Sequence, residues 1–284
     1  EPTYYLLRST FSFMPYIPSG GEVLDPPAIL KTFGLAEGMV VADLGCGTSG
    51  HFVFPAARMV GPKGKVYAID ILKSALAGIQ SRRKIEGAGN VEEVWSDIEV
   101  FGGTRIPDGS VDRALLVNVH GKLGMLKEAR RILKSGGKLL VMVNPFQNDL
   151  LKKHVLKYGI ELGDNLVIEP NPIGRLLGVG PEVPLVQQYD RHAITRDLGG
   201  VSTFFPLTRS VSPAKTPVQG VNVQALARTS PQSWGETDRG ALQRVEAKPD
   251  PQDAQGPLSV AVVATKDKAR IVVYGTSTLA ANQF

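Results

Sequence analysis

The stretch that decides the fold runs from Val40 to Gly50 and reads VVADLGCGTSG. Its first five residues are apolar apart from Asp43, which is typical of a buried parallel strand. Gly45, Gly47 and Gly50 then allow a tight turn into a helix whose free N–H groups can face an anionic ligand group. The same spacing also fits nicotinamide and flavin cofactors, so by itself it indicates only a cofactor-binding turn.

Beyond this turn, apolar runs suited to buried strands alternate with segments of helical length. The predicted strands span residues 39–44, 65–69, 91–95, 113–119 and 138–143, and the predicted helices span 26–33, 52–60, 74–86 and 123–133. This alternation predicts an α/β fold with a Rossmann-like, doubly wound parallel sheet in the first half of the chain.

The composition changes from about residue 144. One helix over 150–158 and a strand over 165–169 are followed by a region rich in Pro and Gly, with a last pair of strands over 258–264 and 269–274. We therefore expect two domains, residues 1–143 and 144–284. The second is a mixed, strand-rich α/β part that either continues the first sheet or stands apart from it.

Three carboxylates follow three successive predicted strands. Asp43 precedes the first glycine by two residues, where it can lie beside an ammonium group; this favours S-adenosylmethionine over a dinucleotide. Asp70 lies about 20 residues beyond the turn, where it can accept hydrogen bonds from ribose hydroxyls. Asp97 can accept from an adenine amino group. Each acid alone could instead be a turn former or a helix cap.

Taken in order, the segments 43–50, 70, 96–97, 108–112 and 128–137 resemble class I S-adenosylmethionine-dependent methyltransferases. The resemblance covers about residues 20–143. It implies that the glycine turn holds the methionine part of the cofactor, that the second acid holds ribose and that the third contacts adenine. The expected cofactor-binding residues are Asp43, Gly45, Cys46, Gly47, Asp70, Asp97 and Asn118. No metal is expected, and the small size of Cys46 explains its place in the turn without a nucleophilic role.

Methyl transfer from a sulfonium needs alignment more than an obligatory catalytic residue. Asn118, after the fourth strand, is a candidate for orienting cofactor or acceptor, or is an ordinary polar strand end. His120 is a candidate general base toward a hydroxyl, or an ordinary loop histidine. The segment VNVH over 117–120 lacks the Asn/Asp-Pro-Pro-aromatic signature of enzymes that methylate base amines or glutamine amides. The acceptor stays open, and the short link after His120 leaves turnover open.

A second resemblance begins near residue 136. The segments 138–146, 158–164, 190–197, 229–234 and 273–284 are similar to GldG-like auxiliary subunits of ABC-type transport and gliding systems. This resemblance implies a binding or scaffolding module with ABC transporter components as partners and without catalytic residues. The chain would then be a fusion or chimera. The alternative function is a transport-associated module whose glycine turn is vestigial.

Composition narrows the remaining classes. The net charge of +5 is spread over scattered Lys and Arg residues, so no nucleic-acid face is expected. Cys46 is the only cysteine, which rules out an internal disulfide and favours the cytoplasm, unless a leader has been removed. No window approaches the roughly 18 apolar residues of a membrane span, so we expect a soluble protein.

Overall fold

One mixed sheet of nine strands organises the chain, of which the computed structural model describes residues 26–119, 124–147, 149–176 and 178–280. With strands numbered in chain order, the spatial order is β3 (Val91–Trp95), β2 (Lys65–Asp70), β1 (Val40–Leu44), β4 (Val111–Val117), β5 (Leu133–Met142), β16 (Ala269–Tyr274), β15 (Ser259–Lys266), β12 (Asn222–Arg228) and β9 (Gln188–Tyr189). The first six are parallel, and each of the last three is antiparallel to the strand before it.

Seven α-helices, three short 3-10 helices and three small sheets complete the described part of the chain. The helices are α1 (Pro26–Thr32), α2 (Val53–Val60), α3 (Lys73–Glu86), α4 (Gly124–Ile132), α5 (Asp149–Val155), α6 (Pro172–Leu176) and α7 (Arg239–Arg244). The small sheets pair β6 (Ile160–Leu162) with β11 (Val211–Pro213), β8 (Leu185–Val186) with β10 (Thr203–Phe204), and β7 (Leu166–Ile168) with β13 (Trp234–Glu236), which also pairs with β14 (Ala254–Gln255).

Strand alternation divides the core into two layers. On one face Val41, Leu115 and Leu140 pack against α1, α2 and α3. On the other face Ala42 and Leu116 pack with α4 and α5. Burial on both faces explains why the central strands read as nearly continuous apolar runs. The prediction of a doubly wound parallel sheet is confirmed.

The second half of the chain completes this sheet. β5 pairs with β4 on one side and with β16 on the other, both in parallel. Arg209, only 1% exposed, donates from Nε to Gly163 O at 2.7 Å and from Nη1 to Gln147 O at 2.8 Å. Of the two arrangements left open by the sequence, the continued sheet is therefore the one observed.

Most predicted elements of the first sheet agree with the observed bounds to within two residues, and two predicted elements differ by three residues or more at one end. The strand expected at 138–143 begins at Leu133, directly after α4, and crosses an irregular pairing with β4 in which Gly136 has φ +78°. The helix expected over 150–158 ends at Val155 and gives way to a 3-10 turn (Leu156–Tyr158), which Gly159 ends at φ +72°. Of the described helices, none has the length and apolar character to span a bilayer.

Candidate cofactor site

The glycine turn is tied to the neighbouring strand end. The backbone N–H groups of Gly45 and Cys46 both donate to Ile69 O, at 2.9 and 3.0 Å. Because β1, β2 and β3 are parallel, the residues that follow them gather at one edge of the sheet. Asp43 and Asp70 thereby lie close enough for the charge of Asp70 to act on Asp43.

Asp70 joins the turn to the end of β2. Its Oδ2 accepts from the N–H of Gly47 at 3.0 Å and its Oδ1 accepts from the N–H of Leu72 at 2.9 Å. The side chain is held in one orientation at 9% exposure. A carboxylate offers about four acceptor positions, so these two bonds leave capacity for ribose hydroxyls.

Asp43 carries a buried carboxyl group whose charge no described residue compensates. It is 3% exposed, and burial together with the nearby charge of Asp70 raises its pKa to about 7. Within the described residues, no side-chain hydrogen bond or ion pair involves its carboxyl group. A buried carboxylate with only a like charge nearby is costly. An ammonium group placed beside it would remove that cost, which fits the amino-acid end of S-adenosylmethionine.

The three glycines of the turn have different surroundings. A Cβ at Gly45, with φ +88°, would lie 2.6 Å from Val119 Cγ2, and one at Gly50, with φ +56°, would lie 2.5 Å from Ile79 Cδ1. Packing therefore requires these two glycines. Gly47, with φ +64°, would place its Cβ in open space, with no atom of a described residue within 4 Å. Gly47 thus leaves room for a ligand beside the turn.

Helix α3 supports the turn from outside through two residues that sequence reasoning missed. A Cβ on Gly78 would lie 2.8 Å from Thr48 O, so the glycine allows the helix to approach the turn closely. Arg82 donates from Nη1 to Ser49 O at 2.7 Å. Their spacing of four residues places both on one face of the helix, a signal that has no meaning until the contact is known.

The segment after β3 contributes Ser96 and Asp97. Ser96 is 7% exposed, and its buried Oγ has no hydrogen-bond partner in the described part of the chain. Asp97 is exposed, and its Oδ1 accepts from the N–H of Glu99 at 2.9 Å. Asp97 is therefore a turn former whose second oxygen stays available. The Ser96 hydroxyl is a second polar group in this segment, and the sequence alone indicated no role for it.

Asn118 lies at the same edge, after β4. Its φ of +53° is one that asparagine tolerates, and its Oδ1 accepts from Nδ2 of Asn144 at 3.2 Å. Asn144 Oδ1 in turn accepts from the N–H of Ser277 at 2.7 Å. These hydrogen bonds thus connect the edge of the sheet that follows β1 to β4, which we call the cofactor edge, to the second half of the chain. His120 lies outside the described residues.

Cys46 and His51 are the residues near the turn that could serve as a nucleophile or as a metal ligand. Burial, followed by the charge of Asp43, raises the pKa of the Cys46 thiol far above its usual range, so the thiol is neutral. Burial and then Arg82 lower the pKa of His51. Among the described residues, no group of three or more His, Cys, Asp or Glu side chains is arranged to hold a metal ion.

Comparison with known protein families agrees with this geometry. Residues 35–157 match the family model described as a methyltransferase domain. The match implies S-adenosylmethionine as the cofactor, as the sequence predicts. Such a cofactor can use the carboxyl of Asp43, the open side of Gly47 and the hydroxyl of Ser96, of which the two side chains have no partner among the described residues.

Individual curated proteins are similar to only part of this chain. The ubiquinone/menaquinone biosynthesis C-methyltransferase UbiE of Pasteurella multocida is 37% identical over 114 residues, which are 38% of this chain and 41% of the relative. UbiE of Escherichia fergusonii is 39% identical over 114 residues and 44% of its length. The chain thus spans less than half of these curated relatives. A crystal structure of a SAM dependent methyltransferase from Aquifex aeolicus is 26% identical, with a TM-score of 0.43, over 58% of this chain and 91% of that one.

Proposed function

We propose that this chain transfers the methyl group of S-adenosylmethionine to an acceptor at the carboxyl edge of β1 to β4. One observation carries the proposal. Among the residues that the structure describes, no cation lies beside the buried Asp43 carboxyl, although this carboxyl adjoins a glycine turn that is open on one side and bonded to Asp70. Leaving such a carboxyl uncompensated is unfavourable unless a ligand brings the missing charge.

When bound, the cofactor supplies an activated methyl group on a sulfonium. The task of the protein is then to hold the reactants in line and to exclude water. In this proposal ionised Asp43 binds the ammonium group, Asp70 binds the ribose hydroxyls, and Ser96 or Asp97 contacts adenine. Gly45, Cys46 and Gly47 supply the backbone of the turn. Its small side chains let the ligand approach.

Asn118 is proposed to orient the cofactor or the acceptor. Asn144 restricts its amide by donating to Oδ1, which leaves the Asn118 Nδ2 group free to donate toward a bound group. The role of His120 as a general base stays a prediction, and so does the effect of the short link that follows it.

The acceptor is the open part of the proposal. The UbiE relatives are named as C-methyltransferases of ubiquinone/menaquinone biosynthesis, but the likeness covers 38% of this chain. Two exposed apolar residues, Ile71 and Leu72, follow β2, and the exposed Trp95 ends β3. Trp95 Nε1 donates to Ile71 O at 2.8 Å. This apolar surface suits an adenine ring or an apolar acceptor, and the carbon acceptors of the named relatives are therefore the first to screen.

The second half keeps its own hypothesis. A GldG-like module over residues 136–284, a domain boundary at 143/144 and ABC transporter components as partners all stay predictions. So do a fusion origin and a cytoplasmic location. If the chain were only a transport-associated module with a vestigial turn, it would fold normally and bind no cofactor.

The test is release of S-adenosylhomocysteine from S-adenosylmethionine by the full chain in an acceptor screen, measured by mass spectrometry. We expect the Asp43→Asn variant to release S-adenosylhomocysteine more than tenfold more slowly than the wild type with any acceptor that supports turnover. The matched control is Asp112→Asn, because Asp112 accepts from the N–H of Val40 at the opposite strand end and lies away from the turn. If the folded wild-type chain bound neither S-adenosylmethionine nor S-adenosylhomocysteine, this result would contradict the proposal and favour the transport module.

A further inference from the structure

Three cations form a row across the middle of the sheet. In the strand pairing, Arg113 of β4 and Arg270 of β16 are both register partners of Lys138 on β5. Partners on adjacent parallel strands point to the same face, about 5 Å apart. Like charges placed side by side in this way destabilise a sheet. We call Arg113, Lys138 and Arg270 the cation row.

Within the described residues, no acidic side chain forms an ion pair with Arg113, Lys138 or Arg270, although the charge of Asp112 partly offsets the burial and the Arg270 charge that lower the pKa of Arg113. Arg113 donates to the carbonyl oxygens of Phe33 at 3.2 Å and Gly34 at 2.8 Å. Lys138 and Arg270 have no hydrogen bond or ion pair there. Asp112, the neighbour of Arg113, is held by Lys134 at 2.9 Å.

The row affects the groups around it. Burial and then the charges of Arg113 and Arg270 lower the pKa of Lys138. The pKa of His192, on the loop over this face, is lowered by burial and by Arg270. A further positive charge in this region is therefore unfavourable. An anion, in contrast, would be stabilised by every member of the row.

A cavity of about 170 Å³ lies beside Lys138 and Arg270 of the cation row, between α1 and the sheet. Lys138 and Arg270 line it together with the apolar side chains of Leu140, Val272, Phe33 and Ile194. A cavity of this size can hold a benzene-sized body. Each cation lies four residues before the end of its strand, so the row is about 13 Å from the cofactor edge.

We propose that this cavity binds a small organic anion, with its phosphate or carboxylate against Lys138 and Arg270 and a benzene-sized apolar body against Leu140 and Val272. The site is separate from the cofactor edge and does not depend on the proposed methyl transfer. Recessed cations combined with an apolar wall favour a small molecule over a nucleic-acid backbone, which would need an exposed basic surface.

The test is calorimetric titration of the full chain with phenyl phosphate and with benzoate at constant ionic strength, and benzyl alcohol serves as the neutral probe. We expect at least one anion to bind, at least tenfold more tightly than benzyl alcohol. Lys138→Met and Arg270→Met should each weaken that binding at least tenfold. Lys84→Met, which removes an exposed charge from α3, should change it less than twofold. The tighter of the two anions identifies the class of charged group.

Thermal melting separates binding from folding. Without ligand, Lys138→Met should melt no lower than the wild type, because it relieves repulsion in the row. Phenyl phosphate or benzoate should raise the melting temperature of the wild type but not of this variant. Absence of binding by both anions, equal binding by Lys138→Met, or a lowered melting temperature of ligand-free Lys138→Met would each overturn the proposal.

Discussion

The N–H of Gly47 donates to Asp70 Oδ2 at 3.0 Å and links the middle of the glycine turn to the carboxylate that ends β2. The bond crosses between two parallel strand ends and fixes both groups relative to Asp43. The methionine-binding and ribose-binding parts of the proposed site are therefore one unit, and a change in either should affect the whole cofactor.

Replacing Gly47 with alanine should abolish cofactor binding at a small cost in stability. Gly47 has φ +64° and open space where a Cβ would lie, so the cost to folding is the left-handed backbone, about 1–2 kcal/mol. The added methyl group points into the proposed ligand space. We expect affinity for S-adenosylhomocysteine, measured by calorimetry, to fall more than tenfold.

Gly38 provides the matched control for this change. It also has a positive φ, +79°, and open space around its Cβ position, but it precedes β1 at the other end of the strand. Gly38→Ala should therefore cost similar stability and leave affinity unchanged. Equal affinities for the two variants would contradict the assignment of Gly47.

Cofactor binding should strengthen between pH 5.5 and 7.0. Because the pKa of Asp43 is raised to about 7, the ionised fraction needed to bind an ammonium group rises about 15-fold over this interval, while an α-amino group stays mostly protonated. Calorimetric dissociation constants should fall by a comparable factor. Asp43→Asn should bind weakly at both values, and a wild-type affinity independent of pH would show that Asp43 does not bind the ammonium group.

Glu128 should stabilise the fold above its titration range. It is fully buried and accepts from Arg131 at 2.7 Å and from Thr104 Oγ1 at 2.6 Å. Burial raises its pKa, but the hydrogen bonds from Arg131 and Thr104 outweigh burial and lower it to about 2. The stabilisation is thus complete above about pH 4.5, the pKa range of an unfolded glutamate, and is lost as the pH falls toward 2.

Glu128→Gln should accordingly lower the free energy of unfolding at pH 7 by about 3 kcal/mol, as measured by urea denaturation. The control is Glu86→Gln on α3, whose partners Arg58 and Arg82 are exposed and whose loss should cost under about 1 kcal/mol. Similar losses for the two variants would show that the buried network contributes no more than a surface ion pair.

The two halves should unfold together. The chain has two tryptophans, Trp95 on β3 and Trp234 on β13, so Trp234→Phe and Trp95→Phe each leave a single reporter, one in each half. Because β5 and β16 pair directly, urea transitions followed by fluorescence of the two variants should have the same shape, and each should coincide with its own circular dichroism transition. A separate transition for one reporter would support independent domains at 143/144.

Arg209 allows the same question to be asked by mutation. Its loss removes the donors to two partly buried carbonyl groups at the junction, so Arg209→Met should lower the transitions seen by both reporters by the same amount. Arg244→Met, which removes only an exposed pair with Glu246, should leave both almost unchanged.

The sequence predicted the first five strands and the cofactor edge because local periodicity and glycine spacing carry that information. The bounds of β16, Ala269–Tyr274, agree with the predicted strand as well. Its place beside β5 could not be predicted, because a pairing between residues about 130 positions apart leaves no local pattern. The cation row is hidden for the same reason, since only the register brings Arg113, Lys138 and Arg270 together.

The most direct test of the cofactor site is titration of S-adenosylmethionine and S-adenosylhomocysteine into the wild type, Asp70→Ala and Asp112→Ala. Asp112 matches Asp70 in that each carboxylate accepts a backbone N–H, at 2.9 Å and 3.0 Å. We predict micromolar binding by the wild type and Asp112→Ala, and its loss in a folded Asp70→Ala variant. Failure of the folded wild type to bind, or undiminished binding by Asp70→Ala, would contradict the site.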